Sequence, residues 1–276
     1  MRLDVFFRSC SRVASFHGTP RPAGMTKAEL AVRCLATVVD SLGQALAVGL
    51  LTEATLTLID DHSDPECVAA LTSILTHSPF PARLIAMTET GNGPSLGIAY
   101  REARQHAPEL IYFVEDDYLH APEAIHEMVG AYVQGTQLYG RDVAVFPCDY
   151  PDLYRHPQVS PVILSPQRYW RVVTSSTGTF MITRAVLESH WDCYQRLTLY
   201  GIDPTVNEGN SINLVYQEHP CLSPMPSLAV HMHEGMYSPF VPWRAWWERA
   251  APIVAGWSQP RMVPESGAAE SPVGMG

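Results

Sequence analysis

The sequence predicts an α/β protein with a mainly parallel central sheet flanked by helices. In its first half, short apolar segments of strand length alternate with segments of helical periodicity, in the order βαβαβαβ. Polar and acidic residues directly follow several of the apolar segments. Because crossovers between parallel strands have one hand, these residues meet at the carboxyl edge of the sheet, where open α/β sheets bind ligands.

Composition and charge limit the classes of partner. The 276 residues are 46% hydrophobic and 17% charged, which is ordinary for a globular protein with a large core. The formal net charge is −10 at pH 7, and a surface of that charge repels nucleic acid and anionic membranes. A phosphorylated small molecule is still compatible, since one metal ion and a few arginines reverse the sign locally.

The six cysteines are widely spaced without a C-x-x-C pair, which argues against a zinc knuckle and gives little support for disulfides. The N-terminus M-R-L-D-V-F-F-R has a charge inside its apolar run and no cleavage-type segment. No uncharged apolar stretch reaches the roughly 18 residues of a membrane span. We therefore expect a soluble, cytoplasmic protein without a membrane span.

The elements of the first half follow from periodicity and helix-capping signals. The pattern predicts strands at residues 3–7, 54–59, 83–87 and 111–114. After a Pro/Gly loop at 17–24, Thr26-x-x-Glu29 is a capping box that begins the first helix. Asp64 and Pro65 are the N-cap and first position of a second helix, to about residue 76. A third helix follows the glycine-containing segment 91–97 and reaches about residue 106.

The pattern changes in the second half. We predict a helix at 122–134, extended segments at 143–146, 172–177, 179–182 and 228–231, and a tryptophan-rich helix at 243–257. Thr183 caps a further helix, and Asn207 or Asn210 begins another that ends near residue 218. The Pro- and Tyr-rich segment 148–168 is predicted to face substrate, and the tail 258–276 to be disordered.

The central feature is the segment I-Y-F-V-E-D-D-Y-L-H-A-P at residues 111–122, in which a buried strand runs into Glu115, Asp116 and Asp117. Adjacent carboxylates repel one another, so their place at the end of a central strand predicts a bound cation. Oxygen ligands suit Mg²⁺ or Mn²⁺, which keep positions open for substrate phosphates. The alternative for the triplet alone is a solvated acidic turn before the helix near Pro122.

In sequence order, these pieces resemble the GT-A nucleotide-sugar glycosyltransferases, especially the broad family 2. A strand that ends in D-D-x-S, here residues 60–63, is that family's marker at the second strand. A glycine-containing loop and helix then precede a strand that ends in the D-x-D motif, here E-D-D at 115–117. The resemblance implies one GT-A domain over 1–257, with a nucleotide-sugar-binding half at 1–120 and an acceptor-binding half, with a smaller mixed sheet, at 121–257.

The second half resembles the family more weakly. S-S-T-G-T-F-M-I-T-R at 175–184 is similar to the acceptor-side strand, and Y-G-I-D at 200–203 to the G-F-D turn. The segment 226–238 is similar to a C-terminal P-S-L-x-x-H-x-G pattern, whose histidine closes on the metal or diphosphate. Two features depart from the family: the second acid of its E-D pair is absent at 207–210, and its A-R-N arginine has no counterpart at 94–99.

The resemblance implies a metal-dependent transferase that moves a sugar from a nucleotide-sugar, UDP-sugar in preference to GDP-sugar, to a hydroxyl acceptor with inversion. It implies Asp117 as first metal ligand, with His233 or His231 as second. Glu115 and Asp116 would bind ribose or a metal-bound water. The remaining donor contacts implied are Asp61 to the nucleobase, Arg8 and Ser9 in the base and ribose pocket, and Gly93 in the glycine-containing loop.

An inverting enzyme needs a carboxylate that takes the acceptor proton on the face opposite the leaving group. Glu208 is the nearest positional match for this base, and Asp203 is the second choice. Either acid could instead be placed near a helix N-terminus for its dipole.

Two other functions stay open on the sequence. A nucleotidyltransferase on a related sheet requires a glycine-rich, basic loop directly after the first strand, and residues 8–21 match such a loop poorly. A catalytically degenerate protein that binds a nucleotide-sugar or glycan without turnover is compatible with the acid missing after Glu208.

Overall fold

The structure, a computed structural model, describes residues 1–13, 21, 24–157, 159–238 and 240–257. The loop predicted at 17–24 lies outside the described residues except for Arg21 and Gly24. The tail predicted from residue 258 lies wholly outside them.

Strands and helices alternate through the first half, as the periodicity predicts. The strands are β1 Arg2–Ser9, β2 Glu53–Asp60, β3 Ala82–Ala86, β4 Leu110–Glu115, β5 Tyr118–His120, β6 Ala144–Val145, β7 Val162–Leu164, β8 Tyr169–Val173, β9 Phe180–Thr183, β10 Cys221–Met225 and β11 Ala229–His231. The helices are α1 Lys27–Ala47, α2 Pro65–His77, α3 Asn92–His106, α4 Ala124–Tyr139, α5 Arg184–Ser189, α6 Trp191–Leu197 and α7 Trp243–Trp257.

Within the described part of the chain, nine strands form one sheet in the order β3-β2-β1-β4-β9-β6-β10-β8-β7. β3, β2, β1 and β4 are parallel, β9 runs antiparallel between β4 and β6, and β10 is parallel to β6. A second, two-stranded sheet pairs β5 with β11 in antiparallel register. This arrangement confirms the predicted α/β class, with a mainly parallel central sheet and a smaller second sheet.

The central sheet separates two apolar layers. Helices α1, α2, α4 and α7 cover one face, and α3, α5 and α6 cover the other. Side chains alternate along β1, so that Val5 and Phe7 enter the first layer while Phe6 enters the second. Burial of each such side chain contributes about 1.5–3 kcal/mol, which specifies the strand register and therefore the positions of the strand ends.

By length and composition alone, α1 could cross a membrane, and it carries the one such span found among the described residues. In this fold, 67% of the apolar window of α1 is buried. Its buried residues pack against the sheet and against α7, so packing in the core explains why α1 is apolar.

The predictions for the second half were partly wrong in detail. The helix expected from Asn207 or Asn210 is a pair of 3₁₀ segments, Glu208–Asn210 and Ile212–Gln217. α6, β5 and β10 were not predicted. Each is short, and β5 and β10 are defined by pairing with partners far along the chain, which periodicity within a short window does not reveal.

Candidate active site at the carboxyl ends of β1 and β4

The three acids lie at the carboxyl edge of the central sheet. Glu115 is the last residue of β4, Asp116 and Asp117 follow it, and β5 begins at the next residue. The parallel register of β1 and β4 places Arg8 directly opposite Glu115. The two strands therefore bring a guanidinium and three carboxylates to one place.

Lys27 holds two of the three acids. Its Nζ lies 2.5 Å from Oδ1 of Asp116 and 3.2 Å from Oδ2 of Asp117, and its side chain is only 8% exposed. Burial by itself would lower the pKa of Lys27, but the attraction of Asp116 and Asp117 outweighs burial and raises that pKa above its ordinary value. Lys27 is therefore a constant positive charge beside these carboxylates.

Lys27 was not among the predicted site residues, although its position at the start of α1 follows from the sequence. Thr26 accepts a hydrogen bond from the backbone N–H of Glu29, so α1 begins at Lys27 as the capping box predicts. A lysine in the first turn is unfavourable with respect to the helix dipole, and here its ion pairs with Asp116 and Asp117 offset that cost.

Asp117 also faces two histidines. Nε2 of His233 lies 3.0 Å from Oδ2 of Asp117, and Nε2 of His231 lies 3.6 Å from Oδ1. Burial acts to raise the pKa of Asp117, but Lys27 and His231 exceed that effect and hold the pKa well below its usual range. One ligand atom from each of these three side chains lies within 4.8 Å of the other two, which is a spacing suited to a shared metal ion.

The surroundings of the histidines fit a metal-binding role. The ring of His231 stacks on Tyr118 at 4.5 Å between centroids, and its Nδ1 lies 3.1 Å from the hydroxyl of Tyr150. Histidine ligands commonly have the second ring nitrogen hydrogen-bonded in this way, which orients the first. One carboxylate and two imidazoles suit Mn²⁺ better than Mg²⁺, because Mg²⁺ is bound almost entirely by oxygen.

Arg8 connects Glu115 to the start of α3. Its Nη2 donates to Oε1 of Glu115 at 2.9 Å, and its Nη1 donates to Asn92 at 2.6 Å and to Ser95 at 2.8 Å. Burial raises the pKa of Glu115. A side chain at Gly178 would place Cβ 2.7 Å from this carboxylate, so the absence of a side chain there gives the carboxylate its space.

Asp61, expected to contact the nucleobase, joins the end of β2 to the loop before α3. Its Oδ2 accepts the backbone N–H of Gly91 at 2.8 Å, and its Oδ1 lies 2.9 Å from Nδ1 of His62. Asp61 is buried, yet His62 is 41% exposed, so this carboxylate lies just beneath the surface of the edge.

Gly93, expected to let the backbone approach a ligand, has a packing role in the structure. A Cβ at Gly93 would lie 2.0 Å from the carbonyl oxygen of Thr198. No backbone tolerates that distance, so glycine at this position permits α3 to pack against the end of α6. Its predicted contact with the donor stays a prediction.

Five buried polar side-chain atoms at this edge have no hydrogen-bond partner among the described residues. They are Nε of Arg8, the hydroxyl of Ser9, Oδ1 of Asp60, the hydroxyl of Tyr100 and Nδ1 of His233. A buried polar group without a partner costs about 1–3 kcal/mol, and folded proteins rarely leave several in one place. Their concentration here indicates a site that water or a polar ligand completes.

The two candidate bases differ in position. Burial raises the pKa of Tyr200, and the charges of Glu208 and Glu115 raise it further. The same two acids raise the pKa of the buried Tyr100, so Glu208 lies within electrostatic range of both tyrosines. Asp203 instead accepts hydrogen bonds from the hydroxyl and backbone N–H of Thr205, which lower the pKa of Asp203 and hold it in an exposed turn.

No protein-family model matches the sequence, and no curated protein matches it either. Solved structures do match the fold. Residues 1–349 of TarS from S. aureus in complex with UDP-GlcNAc align with a TM-score of 0.51 at 13% identity, over 93% of this chain and 66% of that one. The same fragment in another crystal structure aligns with a TM-score of 0.50 at 11% identity, over 93% and 65%. This chain thus spans just under two thirds of the TarS fragment.

A UDP-glucose pyrophosphorylase also aligns, at a TM-score of 0.49 and 10% identity, over 93% of this chain and 99% of that one. That score is too low to favour either activity. The TarS alignments, together with the sheet order and the small second sheet, establish the fold alone.

Proposed function

We propose that this chain, whose fold is that of the GT-A nucleotide-sugar enzymes, is a metal-dependent glycosyltransferase that moves a sugar from a nucleotide-sugar to a hydroxyl acceptor with inversion. The observation that carries the proposal is the group of Asp117, His231 and His233 at the carboxyl end of β4. Carboxyl ends of central strands are where open α/β sheets bind ligands. The group is suited to a divalent ion whose remaining ligands would come from a diphosphate.

Departure of a nucleoside diphosphate builds negative charge on its oxygens, and the site supplies positive charge to meet it. Lys27 is a buried cation at the Asp116 and Asp117 carboxylates. A bound Mn²⁺ would act as Lewis acid for the leaving diphosphate. Asp117 would help to hold that ion, while Lys27 keeps the remaining negative charge of the acidic pair neutralised.

The nucleoside half of the donor has a place beside β1 and β2. The hydroxyl of Ser9 and Oδ1 of Asp60 are buried and unpartnered among the described residues, and Asp61 lies next to them. A ribose or a nucleobase amide offers donors and acceptors that pair with such atoms. UDP is the nucleotide that we favour, because the TarS fragment whose fold is similar was solved in complex with UDP-GlcNAc.

Glu208 is the base that the geometry favours over Asp203. An incoming acceptor hydroxyl must lose a proton as it attacks, and the base must reach it from outside the donor pocket. The negative charge of Glu208, like that of Glu115, acts on Tyr100 and Tyr200, whereas the carboxylate of Asp203 accepts hydrogen bonds from Thr205. Glu208 would therefore accept the proton, and the half-buried Tyr200 would border the acceptor.

A panel of UDP- and GDP-sugars with Mn²⁺ tests the proposal. Slow release of free nucleoside diphosphate, abolished by a chelator, is expected of a transferase without its acceptor. A thermal shift with a nucleotide-sugar but no release would indicate a binder without turnover. Release of pyrophosphate from a nucleoside triphosphate and a sugar 1-phosphate would indicate a nucleotidyltransferase. Either of the last two results overturns the transferase assignment.

A further inference from the structure

We propose that His190, Glu218 and His219 form a second metal site, separate from the candidate active site, that binds Zn²⁺. One ligand atom from each of these side chains lies within 4.8 Å of the other two. Two imidazoles and one carboxylate are a donor set typical of zinc sites, with solvent as a fourth ligand. The proposal is independent of the glycosyltransferase assignment.

The site lies on the edge of the sheet opposite the candidate active site. β10 is parallel to β6, and both β6 and β4 are antiparallel to β9, so β4, β6 and β10 share one direction. Glu218 and His219 precede β10. His190 follows α5, which begins directly after the carboxyl end of β9. These residues therefore gather at the amino ends of the parallel strands, whereas Asp117 follows a carboxyl end.

Hydrogen bonding determines which nitrogen of His219 is free. Its Nδ1 lies 2.9 Å from the backbone carbonyl oxygen of Asp142. Because a carbonyl oxygen only accepts, Nδ1 carries the hydrogen and donates it. In the neutral imidazole, Nε2 then has an unprotonated lone pair for a metal ion. A backbone carbonyl behind the ring is a usual support for a histidine ligand, since it orients the ring and increases ligand basicity.

Hydrogen bonds also determine which ring nitrogen of His190 is free. The hydroxyl of Ser189 donates to the carbonyl oxygen of Val186 at 3.2 Å, so its oxygen is free to accept. Nδ1 of His190 lies 2.9 Å from that hydroxyl and 3.3 Å from the same carbonyl, and it donates to both. Nε2 of His190 is consequently the second free lone pair. In both histidines, a backbone carbonyl accepts the hydrogen of Nδ1, and the neighbouring Nε2 is left unprotonated. The two Nε2 atoms can therefore bind the same metal ion.

The distances leave room for one ion. Nε2 of His190 lies 3.7 Å from Oε2 of Glu218, and the rings of His190 and His219 are 5.2 Å apart and nearly perpendicular. Tetrahedral Zn²⁺ with bonds of about 2.0 Å separates its ligand atoms by about 3.3 Å. The side chain of Glu218 is 74% exposed, so its rotation can bring its carboxylate to that distance from Nε2 of His190 without any change in the backbone.

The bound ion would connect elements that are distant in sequence. His190 lies between α5 and α6, and His219 lies at the entry to β10, where Asp142 before β6 already holds its ring. A metal that binds only the folded state stabilises it by mass action. Thermal stability should therefore increase with Zn²⁺ through this site.

The test measures Zn²⁺ binding to tag-free protein by calorimetry in a background that lacks the other cluster, H231Q/H233Q. We expect one Zn²⁺ per chain. Adding E218Q or H190Q should weaken binding by at least about tenfold, the effect typical of altered metal coordination. E188Q, which alters an exposed carboxylate on the neighbouring α5, is the matched control and should change nothing.

Two further measurements keep the test decisive. E218Q removes an exposed carboxylate, so folding is preserved, and in the wild-type background the same variant should weaken by the same factor the Zn²⁺ equivalent that the H231Q/H233Q background retains. Co²⁺ should give the visible spectrum of a tetrahedral site with nitrogen and oxygen ligands and no thiolate band. Unchanged Zn²⁺ affinity in both E218Q and H190Q, or no saturable binding in the H231Q/H233Q background, overturns the proposal.

Discussion

The ammonium group of Lys27 lies 2.5 Å from the carboxylate of Asp116, across 89 positions of sequence. Both side chains are nearly buried, at 8% and 10% exposure. A buried charge requires a partner, because removing one member of a buried ion pair leaves the other charge uncompensated and strongly destabilises the fold. The first turn of α1 and the turn after β4 are therefore coupled through charge, and the acidic motif depends on a residue outside it.

Replacing Lys27 by methionine should destabilise the protein by about 3 kcal/mol, the cost of leaving buried charges unpaired. Urea unfolding at pH 7 measures the change. K27R keeps the charge and is expected to retain most of the stability. Mn²⁺ should stabilise K27M more than the wild type, because a divalent ion replaces part of the missing positive charge. Equal stability of K27M and the wild type would show that the acids do not need this cation.

Replacing Asp117 by asparagine should weaken Mn²⁺-dependent UDP binding by at least tenfold, since it removes the anionic ligand between Lys27 and the two histidines. Calorimetric titration of UDP with and without Mn²⁺ measures the effect. D152N, which makes the same chemical change on an exposed 3₁₀ turn, is the control. UDP affinity and manganese dependence that survive D117N would exclude Asp117 as the metal ligand.

Replacing Glu208 by glutamine should lower kcat for transfer by about 10²–10⁴, the range for loss of a general base, with little change in UDP affinity. D203N should stay within about twofold of the wild type, because its carboxylate serves an exposed turn. Steady-state transfer rates and UDP titrations separate the two effects. A large loss in D203N with a normal E208Q would reverse the assignment of the base.

Acidification should destabilise the protein through His120. Burial lowers the pKa of His120 from about 6.5 to about 4, so protonation favours the unfolded chain. Its contribution is complete above pH 6.5 and is lost as the pH falls towards 4, by about 2–3 kcal/mol at pH 4.5. The pH dependence of urea unfolding should be flatter in H120Q by that amount.

H106Q is the control for this measurement, because its imidazole is 59% exposed on α3. Its stability curve should follow that of the wild type between pH 7.5 and 4.5. Burial explains the difference, since only 1% of His120 is exposed to solvent. An H120Q curve as steep as the wild-type curve would place the titrating group elsewhere.

Local patterns predicted those parts of the fold that neighbouring residues determine. The capping box at Thr26, proline at the first position of α2, and the buried run of β4 were each placed correctly. The signals weakened where short strands depend on distant partners, as in β5 with β11. The two 3₁₀ segments after Asn207 carry the capping residues of a helix, so their pattern alone did not distinguish them from one.

By itself, the sequence determined the α/β class, the place of the acids after β4 and the likeness to GT-A enzymes, because apolar periodicity and strand-end polarity are local properties of the chain. Only the tertiary structure decided which side chains meet Asp116 and Asp117. Lys27 reaches both from the start of α1, and His231 and His233 reach Asp117 from the end of β11 and the residues just after it. Such meetings depend on strand order and helix packing, which bring together residues that no local spacing relates.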